Sequence, residues 1–220
     1  GAGATNSGAV FIYDFDDTSG PTFVLKHKFR SDYNYGGQVG DNFGWSVALA
    51  DYNGDGDLDL IVGARYWSEC EENSNCLSAP GGVTLEDWTG SVYVYDHDGW
   101  ESPSNWREVN EADLVIRGEE GWSPTNGVEQ TRAYFGARVA GIGDVNDDGY
   151  DDFVVSSPRR TGTSFSGSCG GQTFQWWNGS EYVVEALVDD CRVGKVYLFA
   201  GASTYASGDQ DAEAFAKVVF

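Results

Sequence analysis

Apolar and polar positions alternate along this chain in short bursts, and the bursts recur. SGAVFIYDFDD (7–17), TGSVYVYDHDG (89–99) and VGKVYLFAGA (193–202) each open on a glycine and then alternate aromatic with β-branched residues, the period of a strand with two unlike faces. A weaker run recurs as TFVLKHKFR (22–30), EADLVIRG (111–118) and AEAFAKVVF (212–220). The longest match is DNFGWSVALADYNGDGDLDLIVGAR (41–65) with AYFGARVAGIGDVNDDGYDDFVVSSP (133–158), offset by 92 residues at Phe43 and Phe135 and by 93 at Asp51 and Asp144. A repeat unit therefore has four strands: a Phe-Gly strand, a strand after an acidic loop, a glycine-led aromatic strand and an outer strand. The chain runs through the third and fourth strands (8–30), then all four (43–118), then all four again (135–220).

This order predicts an all-β fold of four-stranded antiparallel units, about two and a half of them. The expected divisions of one repeat domain over 1–220 are a partial unit at 1–32, a full unit at 41–118 interrupted by 66–88, and a full unit at 133–220 interrupted by 160–192. The second interruption contains QTFQWWNGSEYVVEAL, two β-type runs around Asn178-Gly179, which predicts an added hairpin. Asn178-Gly179-Ser180 is also the one N-x-S/T sequon. Asn178 is thus either a glycosylation acceptor or simply the left-handed residue of that turn.

Composition agrees with strands and turns. Thirty glycines, eight tryptophans, twelve tyrosines and no methionine describe a turn-rich, aromatic chain. Thirteen basic against 35 acidic residues, a net charge of −22, argue against nucleic acid or anionic lipid as partner and in favour of cations. No apolar run approaches the ~20 residues of a membrane span, and GAGATNSGAVF at the start has neither a basic region nor an apolar one. With no methionine at position 1 and a start in mid-unit, the chain is expected to be a processed or excised piece. Cys70 and Cys76 form one local pair and Cys169 and Cys191 another, both in polar stretches, and His27 and His97 stand far apart. Zinc is disfavoured; disulfides 70–76 and 169–191, each closing one interruption in an oxidising compartment, are the preferred reading over four buried thiols.

The chemistry lies in DYNGDGDLD (51–59) and DVNDDGYDD (144–152), both of the form D-x-N-x-D-G-x-x-D. Oxygen-bearing side chains at alternate positions, a glycine at the sixth and a closing carboxylate at the ninth suit a hard cation that takes about 6–8 oxygen ligands. Calcium fits both loops. Asp51, Asn53, Asp55 and Asp59 would supply side chains and Asp57 its carbonyl; Asp144, Asn146, Asp148 and Asp152 would supply side chains in the second loop, with the carbonyl of Tyr150. Magnesium, small and water-retaining, suits so many protein oxygens less well. An EF-hand would need a glutamate at position twelve, where Val62 and Val155 stand.

Phe43-Gly44, the loop 51–59 and Gly63-Ala64, with Phe135-Gly136, the loop 144–152 and Ser156-Ser157-Pro158 in place of a second Gly-Ala, resemble the FG-GAP repeat. That family builds the β-propeller of integrin α subunits and related extracellular proteins. The resemblance implies that each unit is one four-stranded blade of β-propeller type, and that the loop between its first two strands cages calcium. Propellers close with about 4–8 blades, so two and a half blades expose apolar faces and strand edges.

Neither histidine has a motif-spaced nucleophile and no Gly-x-Ser-x-Gly elbow occurs, so no enzyme is expected. The reading is a non-catalytic, calcium-stabilised extracellular association module, secreted or at the cell surface. Its expected partners are other copies of itself, in a filament or surface layer that completes the β-structure. The alternative is a fragment of a larger integrin-like adhesin, joined by further blades of a longer chain, that binds an extracellular protein or glycan. A companion domain of a secreted hydrolase comes third.

Overall fold

The computed structural model describes residues 8–18, 20–31, 41–67, 89–100, 104–118, 133–158, 172–177, 182–187 and 194–219. Strands β1 (Ala9–Asp16) and β2 (Thr22–Arg30) form an antiparallel half-blade. Then follow β3 (Phe43–Ala50), β4 (Asp59–Ala64), β5 (Ser91–Tyr95), the two-residue β6 (Arg107–Glu108) and β7 (Leu114–Arg117). The last unit holds β8 (Arg138–Gly143), β9 (Asp152–Ser157), β10 (Gln172–Trp177), β11 (Tyr182–Leu187), β12 (Lys195–Phe199), β13 (Asp209–Asp211), a one-turn helix α1 (Ala212–Phe215) and β14 (Val218–Val219).

Two blades have the expected antiparallel order, β3-β4-β5-β7 and β8-β9-β12-β14. β10 and β11 pair antiparallel by themselves, as the runs flanking Asn178-Gly179 predict. Asn178 and all four cysteines, Cys70, Cys76, Cys169 and Cys191, lie outside the described residues.

The outer strand expected over 212–220 is corrected. Ala212–Phe215 is helical and only Val218–Val219 pairs with β12. Alanine and glutamate at 212–214 are good helix formers, and Ala212 is fully buried, so local preference overrides the alternation there. A second departure recurs in both units. The segment between third and fourth strands crosses to the preceding blade and lies parallel to its outer strand: β6 beside β2, and β13 beside β7. Each crossing is pinned by an equivalent ion pair at 2.7 Å, Arg30 Nε with Glu108 Oε1 and Arg117 Nε with Asp209 Oδ2.

Strand alternation assigns the core. In β5, Tyr93 and Tyr95 face the half-blade and Val92 and Val94 face the last blade, all four buried. In β12, Tyr197 and Phe199 pack toward the middle blade; in β1, Val10 and Ile12 do so. Both interfaces thus join an aromatic face to an aliphatic one. On the half-blade's other face Phe11 and Tyr13 are 47% and 52% exposed, Phe11 lying edge-on to the Trp106 ring at 5.5 Å. Val47 and Leu49 are about half exposed, and with Val10, Ile12 and Trp100 they line a groove of about 780 Å³.

Candidate metal centres

Each acidic loop joins the first two strands of a blade, β3 to β4 and β8 to β9, and the two loops share a set of equivalent bonds, while Asp148 N donates to Asp144 Oδ1 at 3.1 Å in the second loop where Asp51 Oδ1 of the first has no such donor. Gly56 N donates to Asp51 Oδ2 at 3.0 Å and Gly149 N to Asp144 Oδ2 at 2.7 Å. Asp55 N donates to Asn53 Oδ1 and Asp148 N to Asn146 Oδ1, both at 2.9 Å. Asp57 N donates to Asp55 Oδ1 at 2.8 Å, and Tyr150 N to Asp148 Oδ1 at 3.1 Å. These are Asx-type turns: short polar side chains hold the backbone of the residues just ahead. Those bonds gather positions one, three and five of each loop and leave the carbonyls of Asp57 and Tyr150 unused as acceptors in this set.

The ninth position differs from the rest. Asp59 and Asp152 are fully buried. Asp59 accepts from Tyr52 N and His97 N, both at 3.0 Å; Asp152 accepts from Val145 N and Gly201 N, also at 3.0 Å. Each closing carboxylate therefore ties its loop to the turn after the third strand.

Electrostatics divide the set. The backbone N–H of Asp57, then Asn53, holds the Asp55 carboxyl below the usual carboxylate range. The Gly149 N–H, opposed by slight desolvation, does the same for Asp144. Burial pushes Asp59 up, against its hydrogen bonds, and burial beside Asp152 raises Tyr52 to about 12. One oxygen bears directly on a metal: Asp51 Oδ1 is buried with no hydrogen-bond partner. A buried carboxylate oxygen left bare is costly, and a cation held by this all-oxygen donor set would satisfy it. The residues present fit calcium.

The sequence reading missed two groups beside the first loop. Asp96 and Asp98, just past β5, bring carboxylate oxygens within 4.8 Å of one of Asp55's, and Asn53 Nδ2 donates to Asp96 Oδ2 at 3.1 Å. The signal was present in the repeat, where Asp96-His97-Asp98 aligns with Ala200-Gly201-Ala202. The loops also touch each other: Asp151 N donates to Asp51 O at 2.9 Å and Asp51 N to Asp151 Oδ2 at 3.1 Å. Carboxylates within one loop can be read along the chain as ligands, whereas the bridge of Asp151 to the neighbouring loop exists only in the fold.

Comparison with known proteins follows the same units. The FG-GAP repeat model matches residues 43–75 and 135–168, each stretch starting at its Phe-Gly and containing one loop. Integrin alpha-3 of Mus musculus is 32% identical over 144 residues, covering 63% of this chain and 11% of the integrin. Integrin alpha-PS3 of Drosophila melanogaster is 30% identical over 160 residues, 72% of this chain and 11% of the relative. Integrin alpha-7 of Rattus norvegicus is 31% identical over 157 residues, 70% and 10% respectively. The chain spans about a tenth of the length of these curated relatives. With two such units folded as neighbouring blades, each around its own acidic loop, the chain belongs to the FG-GAP repeat proteins.

Proposed function

We propose that the chain is a propeller segment of an integrin-like extracellular adhesion protein, which binds a protein partner and acts without catalysis. The observation that carries this is the pair of FG-GAP units with like-bonded loops, in a chain similar to integrin α subunits over most of its length. That similarity favours the adhesin reading over the self-assembling filament. Calcium at both loops would join Asp51, Asn53, Asp55 and Asp59, and Asp144, Asn146, Asp148 and Asp152, with the carbonyls of Asp57 and Tyr150. The ions would supply positive charge to nine carboxylates in eighteen residues and so fix the blade ends. Blade divisions at 1–32, 41–118 and 133–220, disulfides 70–76 and 169–191, and sugar on Asn178 belong to the same extracellular picture.

Beads coated with the chain should adhere to a basement-membrane matrix in calcium and detach in excess chelator. No adhesion in calcium, or concentration-dependent polymers in light scattering, would overturn the reading.

A further inference from the structure

The strand ends opposite the acidic loops carry a group that the repeat itself does not require. Where β3 begins and β4 ends, the guanidinium carbon of Arg65 lies 3.3 Å from the ring centre of Trp45, 4.3 Å from that of Tyr66 and 5.9 Å from that of Tyr134. Its Nη2 donates to the Tyr66 hydroxyl at 2.9 Å, and its Nε–H is buried with no acceptor. Arg30, Arg107 and Arg117 each have a carboxylate partner. Arg65 has none among the described residues, in a chain of net charge −22.

The last blade serves as an internal control. There Ala137 stands at the place of Trp45 and Pro158 at the place of Arg65, so a blade forms without the pair. Tyr134 adds a second sign. It and its counterpart Asn42 both hold left-handed backbone, φ 57° and 58°. Asparagine tolerates that region, whereas a bulky tyrosine there is strained, and strain of this kind gathers at functional sites. The strained residue brings its ring to the Tyr66 ring at 5.3 Å, completing the enclosure. Trp45 is 44% exposed, so the enclosure opens to the surface.

We propose that Arg65, held by Trp45, Tyr66 and Tyr134, is a binding site for a carboxylate, the aspartate or glutamate side chain of a protein partner. The site rests on the adhesion reading for the kind of partner. Its chemistry is local: stacking fixes the plane of the guanidinium, and Tyr66 accepts one N–H of a five-donor fork. The remaining edge matches a carboxylate in shape and charge. The surrounding rings lower the local dielectric and strengthen the contact.

The test is titration of the full chain, with calcium present and arginine side chains ¹⁵N-labelled, by the peptide acetyl-Gly-Asp-Gly-amide. A saturable shift of the Arg65 Nε–Hε signal is expected, absent with acetyl-Gly-Asn-Gly-amide. Binding read at the Trp45 indole should weaken at least about tenfold in Arg65→Lys, which keeps the charge and loses the fork. Trp45→Phe, a change on an exposed side chain, should weaken it less and guards against misfolding of the first variant. No saturable shift, unchanged affinity in both variants, or an equal response to sulfate at the same ionic strength overturns the site. The readout uses no matrix, so peptide binding without bead adhesion counts against the adhesion reading alone. Adhesion without peptide binding counts against this site alone.

Discussion

Replacing Gly90 with alanine tests how rigidly one blade is set against the next. Gly90 leads into β5 with φ +87°, and a Cβ added there would lie 2.0 Å from the carbonyl oxygen of Phe135 and 2.6 Å from its nitrogen. Both are backbone atoms of a residue that is fully buried in the core between the two blades, so no flexible side chain can swing aside. Gly90 N donates to Trp67 O at 2.9 Å, Gly118 N to Gly90 O at 2.8 Å and Phe135 N to Thr89 O at 2.9 Å, and separation of the chains strains all three bonds. A left-handed alanine costs about 1–2 kcal/mol. Disturbing the buried backbone pairing adds about 1–3 kcal/mol, and displacing the Phe135 ring adds about 1–3 kcal/mol more. These terms overlap, and a net loss of about 3–6 kcal/mol is expected, a large part of a typical domain's ~5–15 kcal/mol. Urea unfolding in calcium, followed by tryptophan fluorescence, measures it. Gly208→Ala is the control: Gly208 has φ +77° but nothing within 4 Å of its Cβ position, so that variant reports the backbone cost alone. If Gly90→Ala loses no more stability than Gly208→Ala, the blades yield at this contact and the reasoning fails. Gly8 repeats the geometry one blade earlier, 2.0 Å from the Phe43 carbonyl oxygen, and its alanine variant should behave alike.

Other outcomes follow from the loops and the crossings. Calorimetry should find two calcium ions per chain, with one lost in Asp51→Asn and the other in Asp144→Asn, and scanning in excess chelator should lower Tm; equal Tm in both media would refute cation stabilisation. Asp59→Asn places an amide where both oxygens accept buried backbone N–H groups, and should cost about 1.5–3 kcal/mol in urea unfolding, since hydrogen bonds to charged groups fall in that range. Arg117 donates to Ser91 and Tyr93 and lies 3.9 Å from the centre of the Trp67 ring. Arg117→Gln should therefore cost about 1–3 kcal/mol through unsatisfied buried partners. Asp209 is half exposed, and Asp209→Asn should cost less than about 1 kcal/mol; a double-mutant cycle checks the contrast.

The parts of the fold visible in the sequence are those that repeat. Phe43 and Phe135, the acidic loops and the glycine-led strands recur with their spacing, and a repeated pattern constrains pairing as a single strand cannot. β6 and β13, two and three residues long, carry no period, and their position is decided by a free edge on another blade. Residues 212–220 satisfy a strand alternation and a helical preference at once, and packing of Ala212 settles the choice. At the site, ligand-type residues within one loop could be read along the chain. Asp96, Asp98 and Asp151 join it through space, and the enclosure of Arg65 draws on β3, the residues after β4 and the residue before Phe135.

The strand lent to the preceding blade puts the genetic and the folding units out of phase. A fragment cut at Gly118 would contain every strand of the middle repeat, yet it would leave the β7 edge bare and Arg117 without Asp209. Unfolding of the last unit does the same to its neighbour, so the blades cannot melt one at a time as independent beads; the loss of one removes an edge, a core face and an ion pair from the one before it. Each blade is therefore coupled to its predecessor through the borrowed strand as well as the shared core, and a well-behaved shorter piece has to end after β13 rather than at a repeat boundary.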